Sequence, residues 1–360
     1  MGLVVLVAPA AFKGTLGARK VAAALGAGVR SVRPDVTVLE RPISDGGDGL
    51  LDAVLAPDAR RVELPVTGPL GPPVLGVLGW LDPETAIFES ATACGIALLE
   101  PGARDPLRAT TRGVGELIRD AIARGARRVI VGLGGSATVD GGTGAARGLG
   151  WTFRGRGGAP LPEGGGSLQD LEEFEGRAGL ASSVVGLADV TTPLTGPDGA
   201  AAVFGPQKGA SPEGVRQLAA GLEVLGAAFA RHGRAELARL PGGGAAGGLG
   251  AGLAFFARAD VVPGATWVLD RVGLDAALAT ADLVITAEGA FDRTSLVGKA
   301  TGEVLRRAAV ARKRAAVVAG QVIDQGGVQA LGGDGRTLDE RDIAALAARA
   351  TSAAFGLPAP

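Results

Sequence analysis

Short apolar runs alternate along the chain with longer stretches in which apolar residues recur three and four positions apart. "LVVLVAP" (3–9) reads as a buried strand. Val21, Leu25, Val29 and Val32 then share one helical face, with Thr15 placed to cap that helix. "VTVLERP" (36–42) is the next strand. "GVGELIRDAIARGA" carries Val114, Leu117, Ile118, Ala121 and Ile122 on one stripe, and Gly125 suits its C-terminal end. "RVIVGLGG" (128–135), "ADLVITAEG" and "RAAVVAGQ" are further strands, the last two separated by the helix "GEVLRRAAVAR".

Strand and helix in this order predict an α/β fold whose parallel sheet is covered on both faces. Ligands of such sheets bind beyond the carboxyl ends of the strands. "APAAFKGT", "PISDGGDG", "GLGGSATVDGG" and "ITAEGAFD" all fall there, which predicts four polar loops on one rim. The middle of the chain is less regular. "RGRGGAPLPEGGGS" has loop composition, whereas Val215, Leu218, Leu222, Leu225 and Phe229 mark a long amphipathic helix. Residues 1–60, 108–150 and 281–360 are therefore read as one domain, with 61–107 and 151–280 as a second α/β domain inserted in it.

Composition narrows the chemistry. Across 360 residues, 47% hydrophobic and 20% charged residues make an ordinary globular mix, and the length allows two domains. A formal net charge of -1 argues against nucleic acid and acidic membranes as partners. "MGLVVLVAPAAFKG" has no basic residue ahead of its apolar run, so a signal peptide is not expected. No run approaches the roughly 18 apolar residues of a membrane span, and the expected location is cytoplasmic. The single cysteine, Cys94, reads as a small buried hydrophobe, and the single histidine, His232, as a cation at a helix C-terminus. One histidine rules out multi-histidine metal sites, and its reading as a helix-end cation argues against a histidine triad, so the expected base is a carboxylate or a lysine.

The glycine-rich loops remain. After a strand, Gly134, Gly135, Ser136, Thr138, Gly141 and Gly142 could turn backbone N–H groups and hydroxyls toward one phosphate. Gly132, Gly134 and Ala137 also match a loose dinucleotide pattern, G-x-G-x-x-A, which keeps a nicotinamide-dependent oxidoreductase as an alternative. The acidic residue expected about 20 positions later is missing. Lysine is rare, and Lys13, Lys208 and Lys299 each adjoin a glycine, as suits a point charge reaching phosphate from a loop. Asp45, Asp48, Asp140, Asp189, Glu288 and Asp292 are the available bases and Mg²⁺ ligands. Glycine loops, scattered lysines and carboxylates without histidine point to phosphoryl transfer.

"AFKGTLGARK", "PISDGGDGLLDAV", "ATTRGVGELIRDAI", "VGLGGSATVDGGTG", "FGPQKGA" and "DLVITAEG" occur in the order found in the type I glycerate kinase family, and the chain resembles that family from residue 3 to about 320. The resemblance implies a flavodoxin-like domain and a second α/β domain with the site in a cleft between them. It implies ATP-dependent phosphorylation of D-glycerate with Mg²⁺, 2-phosphoglycerate being the favoured product, by a monomer or homodimer. Lys13, Asp45, Asp140, Asp189, Lys208 and Glu288 occupy matching motif positions. From these we expect Lys13, Asp45 and Asp189 to be catalytic, with Asp189 as base or metal carboxylate beside Asp45. Asp45, Asp140 and Asp189 are expected to ligate the metal. Gly134–Ser136, Thr138, Gly141, Gly142, Lys208, Glu288 and Lys299 are expected to bind the nucleotide. The chain departs from the family at Ala10 and Ala11, where Asp-Ser is usual, and at Ala287, Ala290 and Arg112. Those departures raise two further alternatives: a kinase of another small hydroxy acid, or a ligand-binding relative with altered catalysis.

Overall fold

In the computed structural model, which describes residues 2–12, 14–176, 180–324, 327–333 and 337–358, the apolar runs become strands of two separate large sheets. In chain order the strands are β1 (Val4–Pro9), β2 (Thr37–Glu40), β3 (Arg61–Thr67), β4 (Pro73–Asp82), β5 (Thr85–Glu89), β6 (Arg128–Leu133) and β7 (Thr152–Arg154). They continue as β8 (Glu173–Glu175), β9 (Ser183–Ala188), β10 (Asp260–Pro263), β11 (Leu283–Phe291), β12 (Arg314–Val322) and β13 (Ala330–Gly332). The chain divides into two units, one of residues 1–45, 49–54 and 265–360, the other of 46–48 and 55–264.

The first unit is built on a wholly parallel sheet of order β13-β12-β11-β1-β2. Counted along the unit this is the order 2-1-3-4-5, the flavodoxin-like arrangement, and it bears out the expected fold class. β1 and β11 are apolar almost throughout because helices cover both faces of the sheet. The helix Ala18–Val32 buries Val21, Leu25 and Val29 and packs against the helix Glu340–Phe355. That helix pair is close: a Cβ on Gly28 would stand 2.0 Å from the Ala344 carbonyl oxygen. Gly28→Val is therefore expected to lose about 1–3 kcal/mol, as overpacked cores do, visible as a lower thermal midpoint. Thr15 does not cap this helix. Gly17 holds the cap position, and the Thr15 hydroxyl donates to the Phe12 carbonyl at 2.9 Å instead.

The second unit has the sheet order β10-β9-β6-β5-β4-β3. β5, β6, β9 and β10 run parallel, while β4 is antiparallel to both its neighbours. Here the structure corrects the expected domain division. β6 pairs with β5 and β9, Ile130 lying opposite Ile87 and Val185, so residues 108–150 belong to the second unit. Residues 265–280 belong to the first. The physical reason is that strand–helix alternation looks the same in any parallel sheet, so periodicity does not say which sheet a strand joins. Consequently the four glycine-rich loops open from two sheets rather than one. Beside the larger sheet, Trp151, Phe153, Phe174, Phe229, Phe255 and Phe256 form a mutually packed aromatic core. His232 follows the helix Pro212–Arg231, as expected, and stacks on Phe174 at 4.8 Å.

Candidate functional site

The strand order of the first unit reverses between β1 and β11, and this is where an open parallel sheet builds a crevice. Pro9 lies level with Ala287, so the segments after the two strands start side by side. A cavity of about 470 Å³ opens there. Its polar wall includes Asp45, Glu288, Lys299 and Gln321, and its apolar wall Ala10, Ala11, Phe12, Ala290 and Leu338. Three of the departures from the family pattern, Ala10, Ala11 and Ala290, thus line one space. Lys13 lies outside the described residues.

Asp45 is half-buried, and one of its oxygens accepts the N–H of Ala300, the first residue of the helix Ala300–Val310. A carboxylate suits that position, because unpaired N–H groups leave a partial positive charge at a helix start. Lys299 sits immediately before this helix and faces the same cavity. Glu288 is held differently. Its Oε1 is buried with no hydrogen-bond partner. Burial pushes its carboxyl above the usual range; the Ser295 hydroxyl and the Lys299 charge pull the other way, and the Asp45 and Asp292 charges add to the rise.

In the second unit, residues 46–48 of the "DGGDG" segment meet the loop after β6. Gly47 packs on Gly134 so closely that a Cβ on Gly134 would be 3.0 Å from the Gly47 Cα. At Gly135, where φ is 61°, a Cβ would be 2.4 Å from Asp48 Oδ1. Asp189 follows β9, and its Oδ2 is 3.9 Å from the space a Cβ on Gly47 would fill. Glycine here serves close backbone approach, and Asp48, Asp189, Gly134 and Gly135 are brought together.

The rest of the loop is spent on the protein itself. The N–H of Ile96 donates to Gly135 O and that of Ala137 to Cys94 O, both at 2.8 Å, so the loop is paired to the 94–96 segment. Cys94 is buried, its thiol donates to Ser90 O, and burial pushes its pKa up to about 12, in keeping with a packing role. Thr138 is buried, and the N–H of Gly141 donates to Gly247 O. The phosphate-cradle reading therefore narrows to Gly134, Gly135 and Ser136. The same pairing argues against a dinucleotide loop, whose backbone must face a pyrophosphate.

Two expected site residues are buried and bonded to the protein itself. Asp140, expected to ligate a metal, is wholly buried and accepts four bonds: from Thr111 N (2.9 Å), Thr111 Oγ1 (2.8 Å), Gly142 N (3.0 Å) and Gly144 N (3.1 Å). Burial pushes its carboxyl up and the four donors oppose that shift; three of them crowd Oδ2 and one, Gly142 N, meets Oδ1, so the carboxylate is engaged in holding its own loop. Lys208, expected to reach phosphate from a loop, is 4% exposed, and Nζ donates to Ser136 Oγ at 2.8 Å and to Thr138 O at 2.7 Å. Thr111 and Gln321 were missed by sequence reasoning. Gln321 could have been found, being a polar residue at the carboxyl end of an apolar strand; Thr111 carries no such signal.

Among the described residues no group of three or more His, Cys, Asp or Glu side chains has the geometry to hold a metal, and no helix is long and apolar enough to cross a membrane. The sequence model of the "Glycerate kinase family" matches residues 5–337. The chain is 39% identical over 302 residues to the glycerate kinase of Bacillus subtilis (strain 168), covering 82% of this chain and 79% of that protein. To the glycerate 2-kinase of Escherichia coli (strain K12) it is 37% identical over 332 residues, covering 90% and 87% respectively. A crystal structure of the Salmonella typhimurium LT2 protein provisionally named glycerate kinase 2 superimposes with a TM-score of 0.86 at 36% identity, over 99% of both chains.

Proposed function

The chain belongs to the glycerate kinase family, and from that premise we propose that this kinase transfers the γ-phosphoryl group of ATP to a hydroxyl of D-glycerate, with 2-phosphoglycerate as product. The observation that carries the finer reading is the cavity at the β1–β11 reversal. At about 470 Å³ it is larger than a small hydroxy acid needs and in the range that takes a nucleotide-sized ligand. Its alanines, Gly289 and Leu338 offer an apolar wall, and Lys299 supplies a cation opposite two carboxylates.

The residues fit Mg²⁺. The ion prefers one or two carboxylates plus water and phosphate oxygens over an all-protein cage, and this cavity offers two carboxylates, Asp45 and Glu288. Asp45 would hold it, and the buried, unpartnered Oε1 of Glu288 in the same cavity is an oxygen awaiting a positive partner. When bound, the ion screens the phosphate charges. The chain's own groups do the rest. Asp189 accepts the proton of the attacking hydroxyl as the glycerate oxygen bonds to the γ-phosphorus. The bond from that phosphorus to the bridging oxygen breaks, and ADP leaves with its electron pair. Within the first unit Lys299 offers a positioned charge to phosphate oxygens, and within the second the Gly134–Ser136 backbone offers N–H groups near Asp189.

The test is direct. Purified protein with ATP, Mg²⁺ and D-glycerate is expected to release ADP only when the acid is present, and phosphorus–proton coupling in the product is expected to show phosphate on the central carbon. ADP formation independent of glycerate would overturn the activity. Coupling to a methylene would overturn the choice of hydroxyl.

A further inference from the structure

Lys208 is a buried ammonium that the proposed transfer does not use, and burying such a group is costly unless it secures something. Its backbone is fixed first. Lys208 ends the tight turn Pro206–Lys208, its N–H donates to Gly205 O at 3.1 Å, and Gly209 follows at φ 99°. The side chain then runs under the loop that follows β6, and two of its three donors are committed to Ser136 Oγ and Thr138 O. The ammonium also stands 5.8 Å from the centre of the Phe204 ring, on the preceding helix, near enough for a cation–π contribution. A methionine would fill the same volume but leave a buried hydroxyl and a buried carbonyl short of a donor.

We propose that Lys208 is a positioning residue for phosphoryl transfer: acting from beneath the loop, it fixes Ser136 and Thr138 and so sets the Gly134–Gly135 backbone beside Asp189. Its bond has a directional consequence. The Ser136 oxygen accepts from the ammonium, so the hydroxyl proton must turn to a different acceptor, and Ser136 becomes a donor suited to an anionic oxygen. Burial lowers the ammonium to about 8, with Cys94 and Asp140 pulling the other way, which agrees with a cation held for its geometry at some cost. The inference rests on the reading that this loop meets the reactants.

The experiment compares the full chain with Lys208→Met and Ser136→Ala. Activity is expressed per folded molecule, the folded fraction being taken from near-ultraviolet circular dichroism. Lys208→Met is expected to lower kcat on glycerate about 100-fold, the usual scale for a small misplacement near the chemistry, while both KM values stay within about threefold. Ser136→Ala, which keeps the Thr138 bond, is expected to lose about tenfold. In Lys208→Met the amides of Gly135 to Ala137 are expected to exchange with solvent at least about tenfold faster, while core strands keep wild-type protection. Wild-type kcat in folded Lys208→Met, or unchanged exchange in that loop, would overturn the proposal. If Lys208→Met does not fold, Ser136→Ala decides: full kcat with unchanged exchange overturns it. Should the wild-type protein fail to phosphorylate glycerate, the exchange measurement still tests Lys208 on its own, so the two failures are told apart.

Discussion

Asp140→Ala is expected to destabilise the second unit by about 3–5 kcal/mol, the scale seen when one partner of a buried charged network is removed. The substitution deletes a side chain that accepts four bonds and leaves two Thr111 groups and the amides of Gly142 and Gly144 buried without acceptors. Water does not readily replace the carboxylate, since Thr111 and Gly142 are themselves buried. Asp140→Asn should fall between the two proteins. It keeps one acceptor oxygen but turns an N–H₂ group toward an N–H donor, whichever way the amide is placed. Urea titration followed by tryptophan fluorescence reads the effect, because Trp80 and Trp151 lie in this unit. A loss below about 1 kcal/mol, the level of an ordinary substitution, would show that Asp140 does not hold the loop.

Asp189→Asn is expected to cut kcat by about 10²–10⁴-fold, the usual contribution of a positioned general base, without changing the fold. The amide preserves size and most hydrogen bonding but cannot take the hydroxyl proton. Asp189 is half-buried after β9, near the glycine contact of residues 47 and 134. Steady-state rates with glycerate, alongside near-ultraviolet spectra, separate lost chemistry from lost structure. A variant with more than a tenth of wild-type kcat would remove Asp189 from the role of base.

Much of this was legible in the chain. Runs such as Val4–Val7, Val129–Val131 and Val284–Ile285 mark buried parallel strands, because a strand covered on both faces has no polar side to show. The glycine loops marked the carboxyl ends of those strands. What was not legible is the environment of a given charge. Asp45 and Asp140 each precede Gly-Gly, yet one lines a cavity and the other is enclosed by four donors. Lys208 and Lys299 each adjoin a glycine, yet one is sealed beneath a loop and the other faces a cavity. Which side of a loop a residue faces depends on elements far away in the chain, such as the Thr111 segment that meets Asp140. The assignment of β6 to the wrong domain has the same origin, since its partners β5 and β9 lie some forty to fifty residues away on either side.

Where Gly47 rests on Gly134, main chain touches main chain with only hydrogens between. Evolution has no side chain to vary there, and a larger residue on either strip would pry the two apart. Change is easier where side chains do exist, and the first unit's cavity is such a place. The short residues at positions 10, 11 and 290 form a wall that can be recarved without disturbing the glycine seam. The molecule thus carries both a seam with no room for a side chain and a wall made of side chains.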